Sequence, residues 1–116
     1  MKLLREHVKI ELRLSDEFMA AGDHASAFHY LERAHVLGQS MTFEHTRIHW
    51  RMLKLGRRMK NWAEVCGQLL RILGASTKTP FGIYPTGNTG GSNVPFYESM
   101  PIPDDLQKIL AKARIS

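Results

Sequence analysis

Three pairs of residues in this chain stand at spacings from which side chains can share one small ligand. His45 and His49 are four apart, His7 and Glu11 are four apart, and Glu32 and His35 are three apart. On a helix each pair leaves from a single face, because positions three and four apart are surface neighbours. Neutral imidazoles with one or two carboxylates are the donor set of Zn²⁺, Cu²⁺, Ni²⁺ or Fe²⁺, whereas Mg²⁺ and Ca²⁺ favour oxygen ligands. The pattern His-Glu-x-x-His is absent, so a thermolysin-type protease is not indicated. A di-iron carboxylate bundle needs two Glu-x-x-His motifs, and only Glu32-x-x-His35 is present. Holding an ion is therefore the chemistry expected, more than turning over a substrate. A competing reading keeps the same histidines on inner helix edges, hydrogen-bonded to Glu11, Glu32 or Glu44 without an ion.

The elements that must position these pairs are helices. Residues 3–21 carry Leu4, Val8, Leu12, Ser15 and Met19 at helical spacing. Gly22 breaks that run, and Asp23 is a natural N-cap for a second helix over 24–37, with Ala27, Leu31 and Ala34 on one stripe. Gly38 closes it, and Ser40 is placed to cap a third helix over 41–55, whose inner edge is His45, Ile48, Met52 and Leu55. A fourth helix over 62–73 sets Val65, Leu69, Leu70 and Leu73 on its packing side, and Gly74 stops it. In an up-and-down array turning near Gly22 and Gln39, Glu11 lies level with Arg33. Glu32 and His35 then lie level with 44–47, which His45 and His49 bracket. All three pairs share one layer, as in bundle metal sites. The expected ligands are His35, His45 and His49, with Glu32 and one of His7 and Glu11 assisting. His24 and His29 read as turn and surface residues, and Cys66 as a small core residue.

Gly22-Asp23-His24-Ala25-Ser26-Ala27 corresponds to Lys60-Asn61-Trp62-Ala63-Glu64-Val65, 38 positions later. The run Gly22-Asp23…Ala27…Leu31…Ala34 resembles the second helix of a tetratricopeptide hairpin, in which small residues let paired helices approach closely. The resemblance implies a four-helix array of two hairpins whose groove takes a partner peptide. Residues 76–100 then lose helical period and fill with Thr, Pro, Gly, Asn and Ser, while Phe81, Ile83, Tyr84, Val94, Phe96 and Tyr97 offer apolar anchors. This segment is expected to wrap along the groove and fill it in cis, and a short helix over 103–113, packing through Leu106, Ile109 and Leu110, to cover an exposed end. The glycines of Gly87-Asn88-Thr89-Gly90-Gly91 read as a tight turn or a close approach to a helix. The stretch is not a Walker loop, since no Lys-Ser or Lys-Thr follows.

Composition bounds the rest. With 116 residues the chain suits one all-α domain over 1–116. Apolar residues make up 43% and mean hydropathy is −0.27, ordinary for a soluble protein. No apolar run is long enough to cross a membrane. The N-terminus meets charge after two leucines, unlike a secretory signal. One cysteine precludes an internal disulfide and fits the cytoplasm. Net charge is +5, and the bases gathered between Arg51 and Lys60 lack interleaved aromatics, so nucleic acid is not the expected partner.

Nearly the whole chain resembles a family of small bacterial proteins catalogued as a domain of unknown function. The residues that carry this are Leu31-Glu32-Arg33-Ala34-His35-Val36-Leu37-Gly38-Gln39, His45-x-x-x-His49-Trp50-Arg51-Met52, Gly67-Gln68-Leu69-Leu70-Arg71, Thr79, Pro85-Thr86-Gly87-Asn88-Thr89-Gly90-Gly91 and Pro101-x-Pro103-x-x-Leu106. The resemblance brings no activity with it, but implies a setting among heavy-metal resistance genes and so leans towards metal. The expected function is that of a cytoplasmic helical protein binding a Zn, Cu or Ni ion, with no organic cofactor, in sensing, buffering or delivery. The alternative is a tetratricopeptide-like interaction module with neither metal nor catalysis. A weaker third reading is a hydrolytic or redox enzyme using the same metal.

Overall fold

The computed structural model describes residues 2–82, 85–95 and 97–115. Among these residues five α-helices follow in order: α1 Lys2–Ala20, α2 His24–Gly38, α3 Thr42–Arg58, α4 Trp62–Lys78 and α5 Asp104–Ile115, with a 3-10 turn at Thr79–Phe81. No strand occurs among the described residues. Helices α1 and α2 pack as one antiparallel hairpin, α3 and α4 as a second, and α2 against α3 joins them.

The two hairpins turn in the same way, 38 residues apart. At the end of α1 the amide of Asp23 donates to Phe18 O (2.9 Å) and that of Gly22 to Met19 O (3.0 Å), with Gly22 at φ +79. At the end of α3 the amide of Asn61 donates to Gly56 O (2.9 Å) and that of Lys60 to Arg57 O (3.1 Å), with Lys60 at φ +56. Both are Schellman closures, which need a left-handed residue after the helix. The next residue caps the following helix in each case. Asp23 accepts from the Ser26 amide and Asn61 from the Glu64 amide, both at 3.1 Å.

The core follows the stripes on α1 to α3. Leu4, Val8 and Leu12 meet Ala27, Leu31 and Ala34, and Ile48, Met52 and Leu55 close the other side. Ala27 and Ala34 admit α1 closely, and the Ser15 hydroxyl donates to Ala27 O across the contact (2.8 Å). Leu106 of α5 is fully buried against this core, with Ile109 and Leu110 beside it. Arg33 ties the end of that helix down, donating twice to Glu11 of α1 (3.0 Å each) and once to Asp105 of α5 (2.6 Å). The third helix starts one residue later than a Ser40 cap requires: Met41 stands at the cap position and is buried, so the chain enters α3 through a core contact.

Helix α4 departs furthest from expectation. It runs through Gly74 to Lys78, where Pro80, with no backbone N–H, ends the α-helical ladder. It is also rotated relative to the leucine stripe. Its buried residues are Glu64, Gln68 and Ala75, whereas Leu69, Leu70 and Leu73 are 55%, 74% and 63% exposed. Cys66 is exposed as well, not a core residue.

The segment after α4 lies across α2 and α4 as a strap. Its ties are polar and its close contacts are glycines. Gln39 donates to Pro85 O and accepts from the Gly87 amide (3.2 Å), Gln68 donates to Gly90 O (2.8 Å), Glu64 accepts from the Ser92 amide (3.0 Å) and Arg71 donates to Val94 O (2.8 Å). Of the apolar anchors expected here, Phe81 and Tyr97 are 80% and 72% exposed and Val94 is part-buried, while Ile83, Tyr84 and Phe96 lie outside the described residues.

Candidate metal centre

Three histidines from two helices meet inside the array. His35 sits in the last turn of α2, where residues 34–38 are all buried. His45 and His49 leave α3 one turn apart, on the face that also carries the buried Ile48 and Met52. Their Nε2 atoms form a near-equilateral triangle: 3.0 Å from His35 to His45, 3.0 Å from His35 to His49 and 3.1 Å between His45 and His49. All three residues are 6% exposed or less.

Each ring is held from behind through Nδ1. His35 Nδ1 lies 2.7 Å from Asn88 O, His45 Nδ1 2.7 Å from Thr79 Oγ1 and His49 Nδ1 2.6 Å from Gln68 Oε1. A backbone carbonyl only accepts, so His35 carries its proton on Nδ1. The Gln68 amide is oriented by its nitrogen, which donates to Glu64 (2.6 Å) and to Gly90 O (2.8 Å), leaving Oε1 to accept from His49. Burial drives all three pKa values down, His35 well below the ordinary value, His45 to about 4 and His49 to about 3. At neutral pH the rings are uncharged, and the Nε2 lone pairs of His35 and His49 point into a shared space. His45 can take the other tautomer with Thr79 donating to Nδ1, but one Nε2–H serves only one of the two facing lone pairs. A cation serves all three.

The dimensions suit such an ion. Zn–N bonds of about 2.0–2.1 Å at tetrahedral angles place three nitrogens about 3.3 Å apart, slightly wider than the separations here. The acceptors on Nδ1 are the partners that fix tautomer and ring direction in metal sites. The three rings also form part of the wall of a cavity of about 320 Å³, bounded further by Arg71 and Lys78.

The other expected site residues lie elsewhere. The donor atoms that come within 4.8 Å of one another are those of the three histidines, with no carboxylate in the group among the described residues. Glu11 is drawn onto Arg33. Glu32 is half-buried with its carboxyl held above the usual range, chiefly by desolvation. His7 stays partly exposed on α1. Glu44, a partner in the ion-free reading, pairs with Arg47. The imidazoles are thus bonded to neutral acceptors, not to the carboxylates that their spacing suggested.

Gln68, Thr79 and Asn88 were not foreseen as positioning residues, because neutral side chains and a carbonyl have no diagnostic spacing. One signal was present in the strap's glycines. A Cβ on Gly90 would lie 2.6–2.8 Å from three atoms of the His35 ring, and one on Gly67 would lie 2.7 Å from Ser92. The strap approaches the site so closely that only glycine fits. The amides of Gly87, Asn88, Gly90 and Ser92 are all bonded within the protein.

The family described as Protein of unknown function (DUF3703) matches residues 2–110, and the chain belongs to it. No curated protein and no solved structure matches the chain. No helix among the described residues is long and apolar enough to cross a membrane.

Proposed function

We propose that this member of the DUF3703 family binds one divalent transition-metal ion through Nε2 of His35, His45 and His49. The observation that carries the reading is the convergence of three buried, uncharged imidazoles, with Nδ1 of His35 and His49 committed to acceptors on the far side. Lone pairs crowded together out of water are costly unless a cation joins them. Three neutral nitrogens with a fourth position on a cavity fit Zn²⁺ best, with Cu²⁺ and Ni²⁺ as the other candidates. Glu32, His7 and Glu11 are not in the ligand set of this proposal. The role is sensing, buffering or delivery of the ion in the cytoplasm.

Titration of metal-stripped protein with Zn²⁺, Cu²⁺ and Ni²⁺ tests this. One equivalent of at least one ion should bind tightly, and His45→Ala/His49→Ala should abolish that binding while remaining helical. Equal, weak binding by both proteins would leave the second reading, an interaction module. One observation favours that reading: Trp62, Leu69, Leu70 and Leu73 of α4 are all more than half exposed.

A further inference from the structure

The cavity beside the triad has a charge imbalance. Its lining residues include Arg71 and Lys78, and no Asp or Glu among the described residues. Arg71 is half-buried and donates one bond to Val94 O, while its Nε is buried with no hydrogen-bond partner among the described residues. The nearest acid among the groups behind the triad is Glu64, which reaches it only through Gln68 and is occupied by the Gln68 amide and the Ser92 amide. An ion held by three neutral imidazoles keeps its full double charge. Lys78 is solvent-exposed, but the ion's charge and the half-buried Arg71 together exceed the single negative charge of Glu64. Low-dielectric surroundings make such an excess expensive, and an anion from solution relieves it.

The rest of the wall says what the anion carries. Leu70, Ala75 and Pro85 line it, and about 320 Å³ is far more than a chloride or hydroxide needs. It matches the lower end of small-molecule sites, which bury an apolar body and fix it by a few polar groups. A guanidinium fork matches carboxylate and phosphate alike, and the apolar lining favours the carboxylate, which carries a hydrocarbon tail.

We infer that the cavity binds a small organic carboxylate, one oxygen taking the ion's fourth position, the carboxylate paired with Arg71 and its apolar tail against Leu70, Ala75 and Pro85. This inference rests on the metal reading above. If the protein senses or delivers an ion, the carboxylate is then a co-ligand whose presence sets how firmly the ion is held.

Co²⁺, whose visible spectrum reports its coordination, is the probe. The protein loaded with Co²⁺ is titrated at fixed pH and ionic strength with acetate, butanoate, hexanoate and inorganic phosphate. Carboxylates should shift the spectrum saturably, with affinity rising about fourfold per methylene as the tail is buried. Arg71→Gln should weaken hexanoate tenfold or more, as expected for losing a charge-assisted bond. Leu70→Ser leaves the guanidinium in place and should flatten the dependence on chain length. Failure of Co²⁺ to bind defeats the metal reading itself. Co²⁺ bound with a spectrum that no carboxylate alters overturns the inference and leaves the metal reading standing. Phosphate binding as tightly as hexanoate, or no gain with chain length, also overturns it.

Discussion

Gly90→Ala tests whether the strap sets the geometry of the triad. The native φ of Gly90 is +87, a conformation that costs alanine about 1 kcal/mol on backbone grounds alone. The added methyl would also sit 2.6 Å from Cδ2, 2.7 Å from Cγ and 2.8 Å from Nε2 of His35. Carbon contacts relax near 3.5–4.0 Å, so something must give by about 1 Å. The ring cannot simply swing away, because its Nδ1 is bonded to Asn88 O in the same strap. Either the strap lifts and takes that acceptor with it, or the ring leaves the triangle. Overpacking of this kind costs about 1–3 kcal/mol, for a total of about 2–4 kcal/mol, and a lost outer-shell partner lowers metal affinity about 10–100-fold.

Gly22 supplies the internal control. It has nearly the same φ, +79, but a Cβ there meets nothing within 4 Å. Gly22→Ala should therefore show the backbone cost of about 1 kcal/mol with metal affinity untouched. Urea unfolding of metal-free protein gives the first quantity and Zn²⁺ titration the second, for both variants. If Gly90→Ala matches Gly22→Ala in stability and in affinity, the strap does not position His35 and the account of the site is wrong.

Gln68→Leu keeps the bulk of the buried side chain but removes the acceptor for His49 and the donor to Gly90 O; Zn²⁺ affinity should fall about 10–100-fold, and an unchanged titration would deny Gln68 its positioning role. Metal-free protein should lose stability in acid. The folded-state pKa values of His45 and His49, about 4 and about 3, lie below the ordinary 6.5, so the unfolded chain binds more protons between these limits. The stability is fully present above pH 6.5 and falls as pH drops towards 4, by about 3 kcal/mol for His45 alone at 1.36 kcal/mol per pKa unit; urea midpoints that stay level from pH 7.5 to 4.5 would refute it. Leu106→Ala should cost about 2–5 kcal/mol by leaving a cavity in the core, whereas Leu73→Ser on the outer face of α4 should stay within about 0.5 kcal/mol; thermal unfolding of the pair reverses that order only if α4 packs the other way round.

Much of this could be read in the chain because burial leaves a period. The stripes of α1, α2 and α3 are apolar at helical spacing and are the core. The triad was legible for a related reason: His45 and His49 fall in phase with Ile48 and Met52, so whatever buries the apolar pair buries the histidines. Equal height along the antiparallel helices puts His35 level with them. Height does not say which way Glu11 turns, and an arginine directly opposite settles that more strongly than a ring does. In the strap, the described contacts fall to glycines and amides rather than to Phe81 and Tyr97, which are exposed, because close approach and backbone bonds leave no periodic trace in sequence.

Helix α4 was illegible for a reason that bears on what the protein is for. Gln68 and Leu69 are adjacent, so a turn of about 100° about the helix axis would exchange the buried polar face for the leucines. Burying a leucine is worth about 1.5–3 kcal/mol, and Glu64 with Gln68 costs free energy to desolvate unless fully bonded. A chain selected only to fold would take the leucine register. The observed register bonds every one of those polar atoms that the site uses: Gln68 to His49, Gly90 and Glu64, and Glu64 to the Ser92 amide. These bonds converge on the histidines and the strap, and nowhere on the hydrophobic core. On the metal reading, leucine burial along α4 is forgone to hold three imidazoles at one point. That exchange is intelligible if an ion bound at that point returns the free energy, whereas the interaction reading would instead use the exposed leucines as a docking surface.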